Sequence, residues 1–368
     1  FKVFDATNST DSIDYAATNQ KIFTPIGNYK LKAMGDGIYR ASLADYNPQV
    51  YRGQVATLAA YNNQLIVNDF LTNRFVLQSE QLIENTKNAN KSSAVSPILA
   101  PYQNTVDDGS VWMRTYASFE RLSMTHGLNV GNNTYGTIVG VDMPAKLLNK
   151  GWKFIPTVFL GYNGGNQYFN KVDMYQNGVQ GGLMATFMKH QFISSIMAYG
   201  GGYFNEMNVA GNTDRTGNWF AGAAAKIAYN LKATKYFTIQ PNVFVSYNIF
   251  GKQHWHTDYG VMSMNSGLLN GINVAPGVNF IYGRGTWSIY TTVQYMYNIN
   301  DHIGGYAGNV NLPSISMRHG YIQYGFGATK LWKDRLNSYL QITFRNGGRT
   351  GVGFQLGLRY MFEMKKHK

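Results

Sequence analysis

The sequence predicts an all-β protein, a transmembrane antiparallel β-barrel of about twelve strands, preceded by one long helix. Three observations carry this. From Val111 to Phe362 the chain runs in stretches that alternate between two faces, with turns between them. Charged residues are 14% against about 25% in ordinary soluble domains, while Phe, Trp and Tyr reach 15%. No run of about 18 apolar residues occurs, so a spanning helix is not expected.

The elements follow in order. Residues 1–50 are polar and turn-rich, with short strand-like pieces such as Tyr29-Lys30-Leu31-Lys32, and predict irregular β structure. Residues 51–84 predict a helix. Glycine and proline vanish after Gly53, and Val55, Leu58, Ala59, Leu65, Ile66, Phe70 and Leu77 recur at three- and four-residue spacing. Gln54, Asn62, Asn63, Asn68, Asp69 and Arg74 form its polar side. Residues 85–110 read as linker, residues 111–362 as the barrel, and residues 363–368 as a basic tail.

Within the barrel, strands are expected to begin near Val111, Asn132, Trp152, Lys171, Phe192, Gly217, Tyr236, Gly271, Gly285, Leu312, Asn337 and Thr350. The period of two is clearest at the two ends. Val111, Met113, Thr115, Ala117 and Phe119 oppose Trp112, Arg114, Tyr116, Ser118 and Glu120. Val352, Phe354, Leu356, Leu358, Tyr360 and Phe362 oppose Gly353, Gln355, Gly357, Arg359 and Met361. Stretches Trp152–Tyr162 and Gly285–Asn298 alternate poorly.

A membrane barrel fits better than a soluble one. The segments are of the length a tilted strand needs to cross a bilayer, about 9–11 residues. A wet lumen accepts Arg114, Glu120, Asp142, Gln341, Arg345, Gln355 and Arg359, and the apolar sets of the best strands carry no charge. Aromatic residues near segment ends, including Trp112, Trp152, Tyr236, Trp287, Trp332 and Tyr360, suggest interfacial girdles. Closure leaves no unpaired strand edge in lipid.

The ordered set is similar to the C-terminal translocator of the autotransporters, the type V secretion systems of Gram-negative bacteria. Val111-Trp112-Met113-Arg114-Thr115-Tyr116 resembles the opening strand, and Tyr135–Asp142 a second strand with its G-x-D ending. Gly325-Phe326-Gly327 through Trp332 resembles a glycine-rich strand near the end, and Gly357–Phe362 the terminal one. The resemblance implies a helix through the lumen, with Asp69 and Arg74 facing wall residues such as Arg114, Glu120 and Arg359. It implies that residues 1–50 are the remnant of an exported passenger. It implies an outer-membrane location with the passenger at the cell surface, and a passage and anchor rather than an enzyme. Tyr360 and Phe362 would be the assembly signal, although six residues follow Phe362. Implied partners are membrane lipid and lipopolysaccharide, the barrel-assembly machinery, periplasmic chaperones and the chain's own passenger, with the barrel monomeric. A porin-like channel or a barrel hydrolase is the alternative. The 85–110 linker could occupy the lumen in place of the helix.

Little chemistry is offered by the residues. With 0 Cys, disulfides, thiol nucleophiles and thiolate metal sites are excluded. No cofactor or metal is expected. Asp107-Asp108, Asp301-His302, and His254-Trp255-His256 with Asp258 are the possible constellations; Asp301-His302 reads as a polar loop, His254 and His256 would share a strand face, and a solvated or interfacial role is the simpler account of each. Some autotransporters cut themselves at an Asn-Asn pair within the barrel, which makes Asn62-Asn63 the candidate here. A solvated helix face is the simpler account. The net charge of +13 is spread over many segments, so nucleic acid is not an expected partner, and phosphates of lipopolysaccharide are the better counterpart. The chain opens at Phe1 without Met or an apolar leader, as expected of a fragment of a longer precursor.

Overall fold

Twelve long strands, each hydrogen-bonded antiparallel to its sequence neighbours, close when the last pairs with the first. They are β1 (Gly109–Ser123), β2 (Asn129–Asp142), β3 (Lys153–Phe169), β4 (Val172–Lys189), β5 (Phe192–Val209), β6 (Asn212–Tyr229), β7 (Phe237–Phe250), β8 (Leu269–Arg284), β9 (Trp287–Asn300), β10 (Tyr321–Trp332), β11 (Leu336–Gly347) and β12 (Arg349–Phe362). The computed structural model describes residues 2–5, 21–23, 26–35, 38–76, 109–209, 211–257, 262–284, 286–332 and 335–362. The expected helix extension 77–84, most of the 85–110 linker and the 363–368 tail lie outside the described residues.

Outside the wall sits a row of apolar side chains. Leu160, Val179, Leu183, Phe204, Ile289, Phe326 and Leu356 are all exposed, with Phe204 75% accessible. On β1 the even-numbered residues from Ser110 to Leu122, among them Trp112, Arg114, Tyr116, Ser118 and Glu120, are buried, and Val111, Met113 and Phe119 face out. The barrel is thus inverted relative to a soluble one, as a lipid environment demands.

One helix, Arg52–Val76, threads this barrel, and all of its 25 residues are buried. At 1.5 Å per residue it is about 38 Å long, enough to run between the two mouths. It lies closest to β3–β8. Opposite, the space is filled by long side chains: Arg114, Tyr290, Tyr321, Tyr339, Arg345 and Arg349, all buried. We call the mouth beside Arg52 upper and the one beside Arg74 lower. Before the helix, Lys2–Asp5, Lys21–Phe23, Gly27–Gly35 and Ile38–Tyr46 form a four-stranded antiparallel sheet.

Two strand expectations and one girdle expectation are corrected. Leu312 does not open a barrel strand. It lies in Val310–Ile315, part of a separate four-stranded sheet with Gln253–Thr257, Met262–Ser266 and Ile303–Ala307, and the tenth wall strand begins at Tyr321. Both hairpins of that sheet alternate as the wall does, so period two alone does not separate them. The sixth strand begins at Asn212 rather than near Gly217, because pairing with β5 continues through the polar stretch to a tight turn at Gly211, where φ is +88°. Trp112 belongs to no girdle: its indole faces inward and donates to Asp142.

Candidate functional site

The site is the occupied lumen, held by ion pairs at three levels. At the upper mouth the Arg52 guanidinium donates twice to Asp214 Oδ2 of β6, through Nε at 2.8 Å and Nη2 at 2.6 Å. In the lower half Lys226 Nζ of β6 meets Asp69 Oδ1 at 3.0 Å, and Gln323 Nε2 donates to Asp69 Oδ2 at 3.0 Å. At the lower mouth Arg74 forms a fork on Asp142, with Nη1 to Oδ2 at 2.6 Å and Nη2 to Oδ1 at 2.5 Å. Asp142 also accepts from Ser110, Trp112 and Thr157, and Arg359 Nε stands 3.4 Å away. Buried charge of this kind survives only when fully paired, so the three carboxylates fix the helix in rotation and height rather than add much stability.

Between the charges lies an amide and hydroxyl lattice. Asn132 Nδ2 donates to Asn63 Oδ1 at 2.9 Å, Gln64 Nε2 to Gln180 Oε1 at 2.8 Å, and Asn68 Nδ2 to Tyr199 Oη at 2.5 Å. Tyr199 donates on to Asn248. Arg114 Nη1 donates to the carbonyl of Phe70 at 3.0 Å while its guanidinium lies 4.2 Å above the Tyr339 ring. Cation–π contact thereby supplies what a carboxylate would elsewhere. One side of the lumen is apolar instead. Tyr203, Phe220 and Phe250 stack with centroids 5.1 and 5.3 Å apart, and Tyr61 meets Phe250 edge-on at 6.3 Å. A Cβ at Gly271 would come within 2.3 Å of Tyr61, so the wall needs glycine where that ring lies flat.

A lid closes the upper mouth. Gln54 Nε2 donates to the carbonyls of Ile303 and Pro313, tying the first turn of the helix to the small sheet. Trp255 covers Gly53 so closely that a Cβ there would lie 2.0 Å from the indole. Tyr51 stacks on His126 at 5.8 Å, and His126 Nε2 bonds the carbonyl of Ser314 at 3.1 Å. Packing against the barrel rim and the neighbouring Tyr46 ring push the Tyr51 phenol up to about 12.

The seven polar wall residues expected from sequence are all buried. Glu120 does not touch the helix directly. It bridges Arg345 and Arg349, and Arg349 Nη1 donates to the carbonyl of Asn62 at 2.6 Å. Gln341 and Gln355 both accept from Tyr339, the latter at 3.2 Å, and Arg359 Nε donates to Ser110 at 2.8 Å. Arg74 finds Asp142 rather than Arg114 or Glu120. Tyr360 is exposed and Phe362 half-buried at the lower rim. Asn62 Nδ2 is held by the carbonyl of Leu58 at 2.8 Å. Asp301 follows β9 and accepts from the Met317 N–H at 3.1 Å and from Asn298 at 3.2 Å. His254 and His256 are exposed neighbours 5.0 Å apart on the small sheet, and their supposed partner Asp258, like Asp107-Asp108, lies outside the described residues. Among the described residues no three His, Asp or Glu side chains could share a metal.

Arg52, Asp214, Lys226 and Arg349 were not singled out from sequence. Arg349 could have been: extending the inward set of β12 back by two steps of two from Gly353 reaches it. Lys226 stands on the inward parity of an otherwise alanine-rich run, Ala223-Ala224-Ala225-Lys226.

A closed twelve-stranded barrel with an apolar exterior and a lumen filled by its own N-terminal helix is a membrane-protein architecture. That fold is shared with autotransporter translocator domains. The chain is similar to the translocator domain of the autotransporter NalP from Neisseria meningitidis, with a TM-score of 0.58 and 10% identity over 79% of this chain and 98% of that one. It is similar to the beta domain of the Bordetella autotransporter BrkA, with a TM-score of 0.56 and 14% identity over 70% of this chain and all of that one (100%). The transport unit of the autotransporter AIDA-I from Escherichia coli gives 0.57 and 14%, over 69% and 90%. No family model and no curated protein matches the sequence.

Proposed function

We propose that this chain is the translocator of an autotransporter, seated in the outer membrane of a Gram-negative bacterium. Its barrel gives passage to the chain's own N-terminal region and then anchors it. In this reading the upper mouth faces outward, residues 1–50 are what remains of the passenger, and the lower mouth faces the periplasm. Assembly machinery, chaperones and lipopolysaccharide are the partners it implies. The role is transport and anchoring, without bond chemistry.

The observation that carries it is the helix itself. Covalently, it joins a sheet beyond one mouth to a barrel strand that starts at the other, so the chain passes once through its own pore. A porin leaves that space to water; here it is occupied and lidded. The test is export. A signal peptide and an epitope-tagged passenger are joined upstream of Phe1 and expressed in a Gram-negative host. Protease added to whole cells should remove the epitope, and deletion of β12 should keep it inside. An epitope that stays protected while the barrel is folded in the outer membrane would favour a non-exporting plugged channel.

A further inference from the structure

Each of the five lower connections carries Lys or Arg, with Lys150, Lys189, Lys235, Arg284 and Arg335 one from each. Asp142 is the acid of that rim among the described residues, and it is buried and paired. One basic residue differs from the rest. Lys330, outward-facing near the end of β10, lies between two indoles, its Nζ 4.2 Å from the Trp287 ring and 3.8 Å from that of Trp332. Trp332 is itself fixed, its Nε1 donating to Ser338 Oγ at 2.9 Å.

Above this cation the outer wall is dented. A recess of about 490 Å³ runs along Met113, Ala328, Leu340, Leu356 and Leu358, and Lys330 is the charged residue that lines it. A neighbouring recess of about 620 Å³, along Val139, Val158 and Leu160, is lined by no charged side chain. The first is therefore a groove of acyl-chain chemistry that ends on one immobilised ammonium.

We propose that this recess holds one anionic phospholipid of the leaflet at the lower rim, its phosphate on Lys330 and an acyl chain along Ala328, Leu340 and Leu356. The inference rests on the membrane orientation proposed above. The indoles keep the ammonium at headgroup level without neutralising it, so its N–H groups stay free for phosphate oxygens. The basic residues on all five connections favour an anionic lipid over a zwitterionic one.

Native mass spectrometry of the folded barrel, titrated with phosphatidylglycerol or phosphatidylcholine, tests this. One phosphatidylglycerol should be retained with about five-fold preference, the size of one lysine's attraction to an anionic headgroup. Lys330→Gln should abolish the preference, Lys330→Arg should keep it, and Lys235→Gln, on the same rim outside the recess, should leave it unchanged. Ala328→Trp should expel the lipid while keeping the charge. Equal retention by wild type and Lys330→Gln would overturn the site. So would an equal loss in Lys235→Gln, which marks diffuse attraction, or displacement by free glycerol 3-phosphate, which marks an anion site without a chain. Failure of the folded protein to insert into vesicles of either lipid would remove the membrane reading, and this inference with it.

Discussion

Arg74, in the last turn of the lumenal helix, and Asp142, the last residue of β2, form a two-bond fork at 2.6 and 2.5 Å between groups 68 positions apart in sequence. It joins the plug to the wall at the lower mouth, and Arg359, Ser110, Trp112 and Thr157 complete its shell.

Asp142→Leu strands two buried guanidinium groups. Removing one partner of such a pair costs about 3–5 kcal/mol. The folded band on unheated gels should be lost at markedly lower temperature, and Arg74→Leu in the same chain should recover part of the loss. Additive losses in the double variant would show that the pair is not coupled.

The two faces of β12 should answer oppositely. Leu356 is 56% accessible on the outer wall, and a lipid-facing Arg there costs about 2–4 kcal/mol near the midplane. Arg359→Ala should be milder, since Asp142 keeps Arg74, Ser110, Trp112 and Thr157. Refolding titrations in vesicles compare them, and equal tolerance would mean that the faces are assigned the wrong way round.

Asn63 and Asn132 share a hydrogen bond of 2.9 Å across the helix–wall interface. With 0 native cysteines, the pair Asn63→Cys and Asn132→Cys gives a clean background. Oxidation in the assembled membrane form should join them. A helix parked outside the barrel would leave both thiols free.

The lid should be firmer in acid. Burial pushes the Asp301 carboxyl above its ordinary value of 3.8, against the pull of the Met317 N–H, His302 and Asn298. A raised acid costs the folded state when ionised, so the cost is absent well below that value, grows as pH rises through it and is complete above the folded pKa. Amide exchange in Ile303–Ala307 should quicken, beyond its intrinsic pH trend, as pH rises above the ordinary carboxyl value of 3.8, and Asp301→Asn should flatten the difference. A wild-type profile already flat would refute the linkage.

Cleavage at Asn62-Asn63 needs the Asn62 amide nitrogen to reach its own backbone carbonyl carbon. The nitrogen is instead held on Leu58, inside an unbroken helix, although Arg349 polarises the carbonyl. We expect the chain to stay whole at 41.2 kDa in the assembled barrel. Fragments ending at Asn62 and beginning at Asn63, lost in Arg349→Leu, would show that the pair does react.

The sequence by itself determined the class of fold and the order of its parts. β1, β11 and β12 are apolar on one face only, so their alternation is legible, and the helix announces itself by its spacing. It also placed Arg114, Glu120, Asp142, Gln341, Arg345, Gln355 and Arg359 on one side of their strands. The tertiary structure decided everything that depends on stagger and closure. β3 buries Ile155 and Phe159 while exposing Val158 and Leu160, and β9 buries Tyr290 and Met296 while exposing Ile289 and Tyr295, and two apolar faces blur the period of two. Which carboxylate meets Arg74, and that Lys226 rather than a neighbour meets Asp69, follows from how twelve strands are offset around a rod. No local pattern encodes an offset between residues 157 positions apart. The lid over Gly53 had the same origin: its strands alternate like wall strands, and only the ring closing without them set them apart.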